Sequence, residues 1–173
     1  MMVMTIAMLG GSSVCLAAGQ IQGSLDIQLT IGEGCAVMNG SSSPAGVNSF
    51  GKIDFGTQSS LTTSSIDAQS TSMTTGEIQL NCTTGVPYRV TLGPGRNAAG
   101  DKRNMKHATA VNLITYDLYQ DAARVRPWNE SAPLTGTGTG AAVSLTVYGR
   151  VLKAATTPPA GQYNDTVLVT IAW

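Results

Sequence analysis

The sequence predicts an all-β fold, an antiparallel sandwich built as one domain. Turn-forming clusters recur about every ten residues, with no long helical period between them. Several of the intervening segments alternate strictly between apolar and polar residues, the mark of a strand buried on one face. The residues left over are mostly Thr, Ser, Gly, Asn and Gln, a neutral polar surface. The chain has 173 residues, net formal charge zero, and only 12% charged residues. That length suits a single domain of ordinary size. A neutral chain with no basic patch lacks the electrostatic footprint of a nucleic-acid binder, and no nucleic-acid partner is expected.

Residues 1–19, MMVMTIAMLGGSSVCLAAG, carry no charge. The apolar run is broken by Gly10, Gly11, Ser12 and Ser13 and is too short to cross a membrane as a helix. It ends on the small residues Ala17, Ala18 and Gly19, as a signal peptidase requires. The stretch reads as a secretory signal cleaved near residue 19, although its n-region lacks the usual Lys or Arg. A lipoprotein signal at Cys15 is disfavoured, because Val14 stands where a small residue is wanted.

Residues 20–31 follow, QIQGSLDIQLTI. Ile21, Leu25, Ile27, Leu29 and Ile31 share one face with Gly23, and polar residues occupy the other. This is a strand with one apolar face at the start of the mature chain. From the residues alone it belongs either to its own sheet or to another molecule's.

Three cysteines become two after cleavage, Cys35 and Cys82, which lie 47 residues apart. An even pair in an exported chain suggests a disulfide. Closing that loop would stabilise the fold by about 4 kcal/mol on chain-entropy arithmetic. The alternative is two free buried thiols.

The remaining elements follow in order. Residues 39–48 are a loop, and FGKIDFGT (50–57) is a short strand. Residues 58–75 are a Ser/Thr-rich loop or weak edge strand. GEIQLNCT (76–83) and VPYRVTLG (86–93) alternate cleanly and are separated by Thr84-Gly85, which predicts a hairpin. Residues 93–107 form a charged loop. Residues 111–121 are a strand without a clean face, a pattern that suggests a bulge. TGTGTG (135–140) is a flexible turn, and 142–152 is a strand bent at Gly149. The Pro158-Pro159-Ala160-Gly161 break then leads into the last strand, 163–173.

Catalytic and ligand motifs fail on context. His107 is the only histidine, and it lies in a Lys/Arg-rich loop. The carboxylates are scattered with no paired spacing, so neither a nucleophilic triad nor a glycosidase pair is indicated. One histidine and two cysteines do not make a zinc site. Gly93-Pro94-Gly95-Arg96-Asn97-Ala98 matches GxGxxA, but no amphipathic helix follows it. Gly95 to Gly100 has phosphate-loop spacing, with Asp101 where lysine is required. No enzyme activity, cofactor or metal is expected. Four Asn-x-Ser/Thr triplets, at Asn39, Asn81, Asn129 and Asn164, are close to chance in so Thr-rich a chain.

Several segments together resemble the subunits of archaic chaperone–usher pili, the spore coat protein U domain family, and most resemble a major pilin. They are the alternating N-terminal strand before Gly32-Glu33-Gly34-Cys35, FGKIDFG, IQLNC, YDLYQDAARVRPW (116–128) and GQYNDTVLVTIAW (161–173). The resemblance spans residues 20–173. It implies an incomplete immunoglobulin-like β-sandwich that lacks its last strand. A strand of a periplasmic pilus chaperone fills the open groove first. The N-terminal strand of the next identical subunit then replaces it at an outer-membrane usher, a recognition mode long known for pilins. The implied product is a head-to-tail filament on the cell surface, supporting attachment and biofilm formation.

The residues agree with that implication. The last strand ends on Trp173, so no later segment is expected to cover its edge, and an uncovered apolar edge is an aggregation hazard. The acceptor groove edge is expected at Val167, Val169, Ile171 and Trp173. A one-residue slip would turn Leu168 inward instead. Residues 20–31 are then a donor strand and residues 32–173 the sandwich domain. Five inserted apolar side chains would contribute roughly 8–15 kcal/mol gross, less the cost of ordering the strand. The competing reading is a non-polymerising secreted β-domain, a binding or coat protein.

Overall fold

The computed structural model describes residues 19–38, 49–71 and 78–173. These comprise twelve strands, and no helix occurs among the described residues. The chain divides into two units, residues 1–31 and Gly32–Trp173. In the first unit the described residues 19–31 belong to no strand.

The second unit is an antiparallel sandwich of three sheets. The first sheet has the order β1-β4-β9, formed by Cys35–Val37, Ile78–Cys82 and Ala142–Leu145. The third has the order β12-β5-β8, formed by Val169–Ala172, Pro87–Leu92 and Leu134–Thr137. The second sheet is six-stranded, in the order β11-β6-β7-β10-β3-β2. Its strands are Tyr163–Asn164, Arg103–His107, Leu113–Tyr119, Tyr148–Val151, Ile66–Thr71 and Lys52–Ile53. All three sheets turn their apolar faces onto one core. Leu80 and Cys82 of β4, Val90 and Leu92 of β5, Tyr116 and Leu118 of β7, and Val151 of β10 are buried there with Trp128.

Alternation identifies the inward faces of β4 and β5 correctly, but the expected hairpin between them does not form. The turn closes, with the Val86 N–H donating to the Thr83 carbonyl at 3.1 Å. It then carries the chain into a different sheet. β4 pairs with β1 and β9, whereas β5 pairs with β8 and β12. Gly85 holds φ 86°, a conformation that favours glycine. Its N–H donates to Gly138 across the fold rather than to β4.

Further expectations need correcting. The segment 142–152 is two strands, divided at Thr146 and Val147 rather than bent at Gly149. β9 serves the first sheet, and β10 sits between β7 and β3 in the second. The expected loop 93–107 contains β6, which pairs with β7 over Arg103↔Tyr116 to Lys106↔Leu113. Half of the expected turn 135–140 is β8, where Gly136 lies against the Tyr88 ring and leaves no room for a side chain. The expected loop 39–48 lies outside the described residues, as do residues 72–77, the end of the Ser/Thr-rich segment and the first residues of GEIQLNCT.

Cys35 and Cys82 face each other across the β1–β4 ladder and are joined by a disulfide. β1 has only three residues, too short a ladder to hold by itself. The double variant Cys35→Ser/Cys82→Ser is expected to lose about 2–4 kcal/mol of stability. A denaturant titration reads this as a lowered midpoint. An unchanged midpoint would mean that the cross-link does not constrain the unfolded chain.

Candidate functional site: a cleft along the last strand

The motif segments that carried the family resemblance build the frame of the site. After β7, Asp121 organises a turn. Its carboxylate accepts the N–H groups of Val125 at 3.3 Å and Arg126 at 2.8 Å. Arg124 takes φ 57°, unusual for a residue with a side chain. The turn folds its guanidinium back over β10 and β3, where it donates to the Gly149 and Ala68 carbonyls and lies 3.3 Å from Asp67. Asp67 also takes a two-pronged contact from Arg150 at 2.7 and 2.8 Å, which holds its carboxyl below the usual range. Trp128 closes the same segment, 1% exposed, with its indole N–H donating to Val90 at 2.9 Å.

The final segment is not one strand. β11 pairs with β6 through Tyr163↔His107 and Asn164↔Lys106, and β12 pairs with β5 from Val169↔Leu92 to Ala172↔Arg89. The chain changes sheets between them. β11 ends the order of the six-stranded sheet, and β12 ends the order of its own. Among the described residues both strands therefore present an unpaired edge, and residues 163–172 carry the two edges in succession.

Beside that edge lies a cleft of about 1210 Å³. One wall is the 157–169 segment, including Val167 and Val169. The other is the 49–59 segment, with Phe50, Ile53 and Phe55. The floor includes Leu61, Ile78, Leu92, Met105, Ile114 and Tyr116. Phe55 fits because Gly149 faces it, and a Cβ there would meet the ring at 2.8 Å. Asp165 is the one carboxylate of the 157–169 wall. Its Oδ2 accepts the Tyr116 hydroxyl at 2.7 Å, and its Oδ1 accepts three N–H groups from Arg96 and Asn97 at 3.0–3.2 Å. Burial, and then that carboxylate, push the Tyr116 phenol well above its ordinary pKa, so it stays a protonated donor.

Of the residues expected at the groove edge, Val167 and Val169 line the cleft. Ile171 is half-buried against the core without lining it, and Trp173 is 62% exposed. Leu168 points outward, 57% exposed. In the N-terminal segment, Ile21, Leu25, Ile27, Leu29 and Ile31 are all exposed, and Gly23 has nothing within 4 Å of a notional Cβ. Phe50, Ile53 and Phe55 were not expected in the site. FGKIDFGT reads as a short strand in the sequence, but that reading does not say which opening the strand borders.

An apolar trough beside free backbone edges can bind an extended chain, with side chains seated in the trough and N–H and C=O groups completing a ladder. Comparisons with known proteins bear on this geometry. A family model described as the Spore Coat Protein U domain matches residues 21–170. Protein U of Myxococcus xanthus is 29% identical over 161 residues, spanning 87% of this chain and 83% of that protein. Among solved structures, the chain is similar to the CsuC–CsuE chaperone–tip adhesion subunit pre-assembly complex from the archaic chaperone–usher Csu pili of Acinetobacter baumannii. The TM-score is 0.50 at 18% identity, covering 83% of this chain and 41% of that one. At that identity the likeness speaks for the fold, an immunoglobulin-like sandwich, and this chain spans under half the length of the chain it matches. The long family match and the sandwich beneath it lead to one conclusion: this chain belongs to the Spore Coat Protein U domain family.

Proposed function

We propose that this chain is a structural subunit of a cell-surface pilus of the chaperone–usher type, polymerising head to tail by donor-strand exchange. The observation that carries the reading is a complementary pair. The sandwich has a cleft with an apolar floor beside two strand edges that are unpaired among the described residues, and residues 20–31 alternate apolar and polar side chains without joining any sheet. Strand and cleft on one molecule make a heterologous contact, and such contacts propagate into open filaments. Ile21, Leu25, Ile27, Leu29 and Ile31 enter the neighbour's cleft, with Gly23 on the same face. Val167 and Val169 form the receiving wall, and Ile171 and Trp173 continue the row beyond the cleft.

Before assembly the cleft needs a temporary occupant, because a free apolar edge aggregates. A periplasmic chaperone strand fills that role, and an outer-membrane usher exchanges it for the donor strand of an identical subunit. The similar structure from Acinetobacter baumannii, a chaperone–tip adhesion subunit pre-assembly complex, supports a chaperone as the first partner. The route is export through the periplasm to the cell surface, and the filament serves attachment and biofilm formation.

The test compares residues 32–173 alone with the same residues carrying 20–31 fused after Trp173 through a flexible linker. The expected result is that the fused strand turns an aggregating domain into a monomer with a raised unfolding midpoint. If residues 32–173 alone are already a stable monomer that the fusion leaves unchanged, the reading fails. A self-contained secreted β-domain then replaces it.

A further inference from the structure

Asp165 occupies an unexpected place. From Tyr163 to Ile171 the odd-numbered residues turn inward, and all are half-buried. The rest of that inward row is Tyr163, Val167, Val169 and Ile171. A carboxylate among them is unfavourable unless it is hydrogen-bonded, and this one accepts four bonds. The N–H of Arg96, the N–H of Asn97 and the Asn97 side-chain amide donate to Oδ1 at 3.0, 3.2 and 3.0 Å, and the Tyr116 hydroxyl donates to Oδ2 at 2.7 Å. The 93–97 loop is shaped for this contact. Gly95 holds φ 86°, and a Cβ there would run into the Asp165 carboxylate. The same loop grips the backbone beyond it, with Arg96 N–H on Thr166 at 3.1 Å and Gly93 N–H on Leu168 at 2.9 Å. All these bonds fall on the stretch where the chain leaves β6 and joins β5.

We propose that Asp165 is the positioning residue of the acceptor rim. Its carboxylate fixes the junction of β11 and β12, so that two sheet edges line up for one incoming strand and Val167 and Val169 face the cleft. This rests on the donor-strand reading and adds a requirement to it: a single donor strand must pair across two sheets in one register. Loss of the junction leaves each half-edge intact but misaligned with the other, and a strand then pairs with only one of them. A pre-aligned rim spares the incoming strand the cost of ordering it.

The experiment uses the full chain, unfolded and refolded at low concentration with an excess of fluorescent peptide carrying residues 20–31. It measures peptide affinity, and amide exchange along residues 163–172. Wild type is expected to bind the peptide and gain protection in both β11 and β12. Asp165→Leu, which suits the apolar row, is expected to bind about tenfold more weakly and to keep the gain in β12 while losing it in β11. Asp165→Asn retains an oxygen that can accept the loop N–H groups and is expected to restore most of the binding. If Asp165→Leu matches wild type in affinity and in protection of both halves, the positioning role is wrong and the donor-strand reading stands. If wild type itself binds no peptide, the donor-strand reading fails and this inference with it. If Asp165→Leu does not fold, Tyr116→Phe and Asn97→Ala each remove one bond to the carboxylate. Both are expected to weaken binding by a smaller factor, and unchanged binding in both overturns the proposal.

Discussion

Ile27→Asp is expected to abolish filament formation while leaving the sandwich folded. Ile27 is 89% exposed in its own chain, so the substitution removes nothing from that chain's core. In the proposed filament the same side chain lies in the middle of the donor strand and enters a neighbour's apolar cleft. The loss there has two parts: about 1.5–3 kcal/mol of apolar burial and the desolvation of a carboxylate, several kcal/mol more without a partner. Together they weaken the contact by roughly a thousandfold or more. Gln28→Asp is the control. It carries the same charge on the opposite, solvent-facing side of the strand, and a small effect is expected. Electron microscopy of cells expressing each variant reads filament number and length. Because Ile27→Asp keeps an intact acceptor cleft, it is also expected to stop growth when co-expressed with wild type, shortening the filaments. Wild-type filaments from Ile27→Asp alone would remove residues 20–31 from the assembly contact.

Alternation makes faces legible and leaves partners hidden. Leu80, Cys82, Val90 and Leu92 are inward as the period-two pattern requires, and all are buried. The pattern did not reveal that β4 and β5 belong to different sheets, or that 142–152 and 163–173 each divide between two sheets. A strand that changes partners keeps its in-and-out rhythm, because both sheets face one core. The candidate site was legible to the same degree. The apolar row of residues 20–31 and the inward positions of Val167 and Val169 follow from alternation. The opposite wall, Phe50, Ile53 and Phe55, depends on where a two-residue strand docks, and no local signal encodes that. β6 was missed for a different reason. Its inward positions are Arg103, Met105 and His107, so the row that should be apolar begins with a charge.

That charge is the second large effect. Arg103 is 8% exposed, and among the described residues no carboxylate lies within ion-pair distance. Its guanidinium donates instead to three carbonyls: Nε to Gly93 at 2.9 Å, and Nη2 to Leu92 at 2.9 Å and Trp128 at 3.1 Å. Burial lowers its pKa, opposed by the negative charges of Asp117, Asp165 and Glu130. A guanidinium nevertheless stays charged at any working pH. One side chain thus ties the end of β5 to the segment after β7, and it holds the 93–97 loop beneath Asp165. Arg103→Ala strands three buried acceptors at about 1–3 kcal/mol each and removes the packed stem, for a total loss of about 5 kcal/mol. Arg103→Met separates the two contributions. It fills the space of the stem but offers no donor, so a hydrogen-bonding role predicts that it recovers little of the loss. Arg103→Lys restores the charge on one compact group that cannot span three carbonyls, and it is expected to recover only part. Denaturant midpoints of the three variants rank them. If Arg103→Met unfolds with wild type, the guanidinium is a space-filler, and the charge in that apolar row has no structural role.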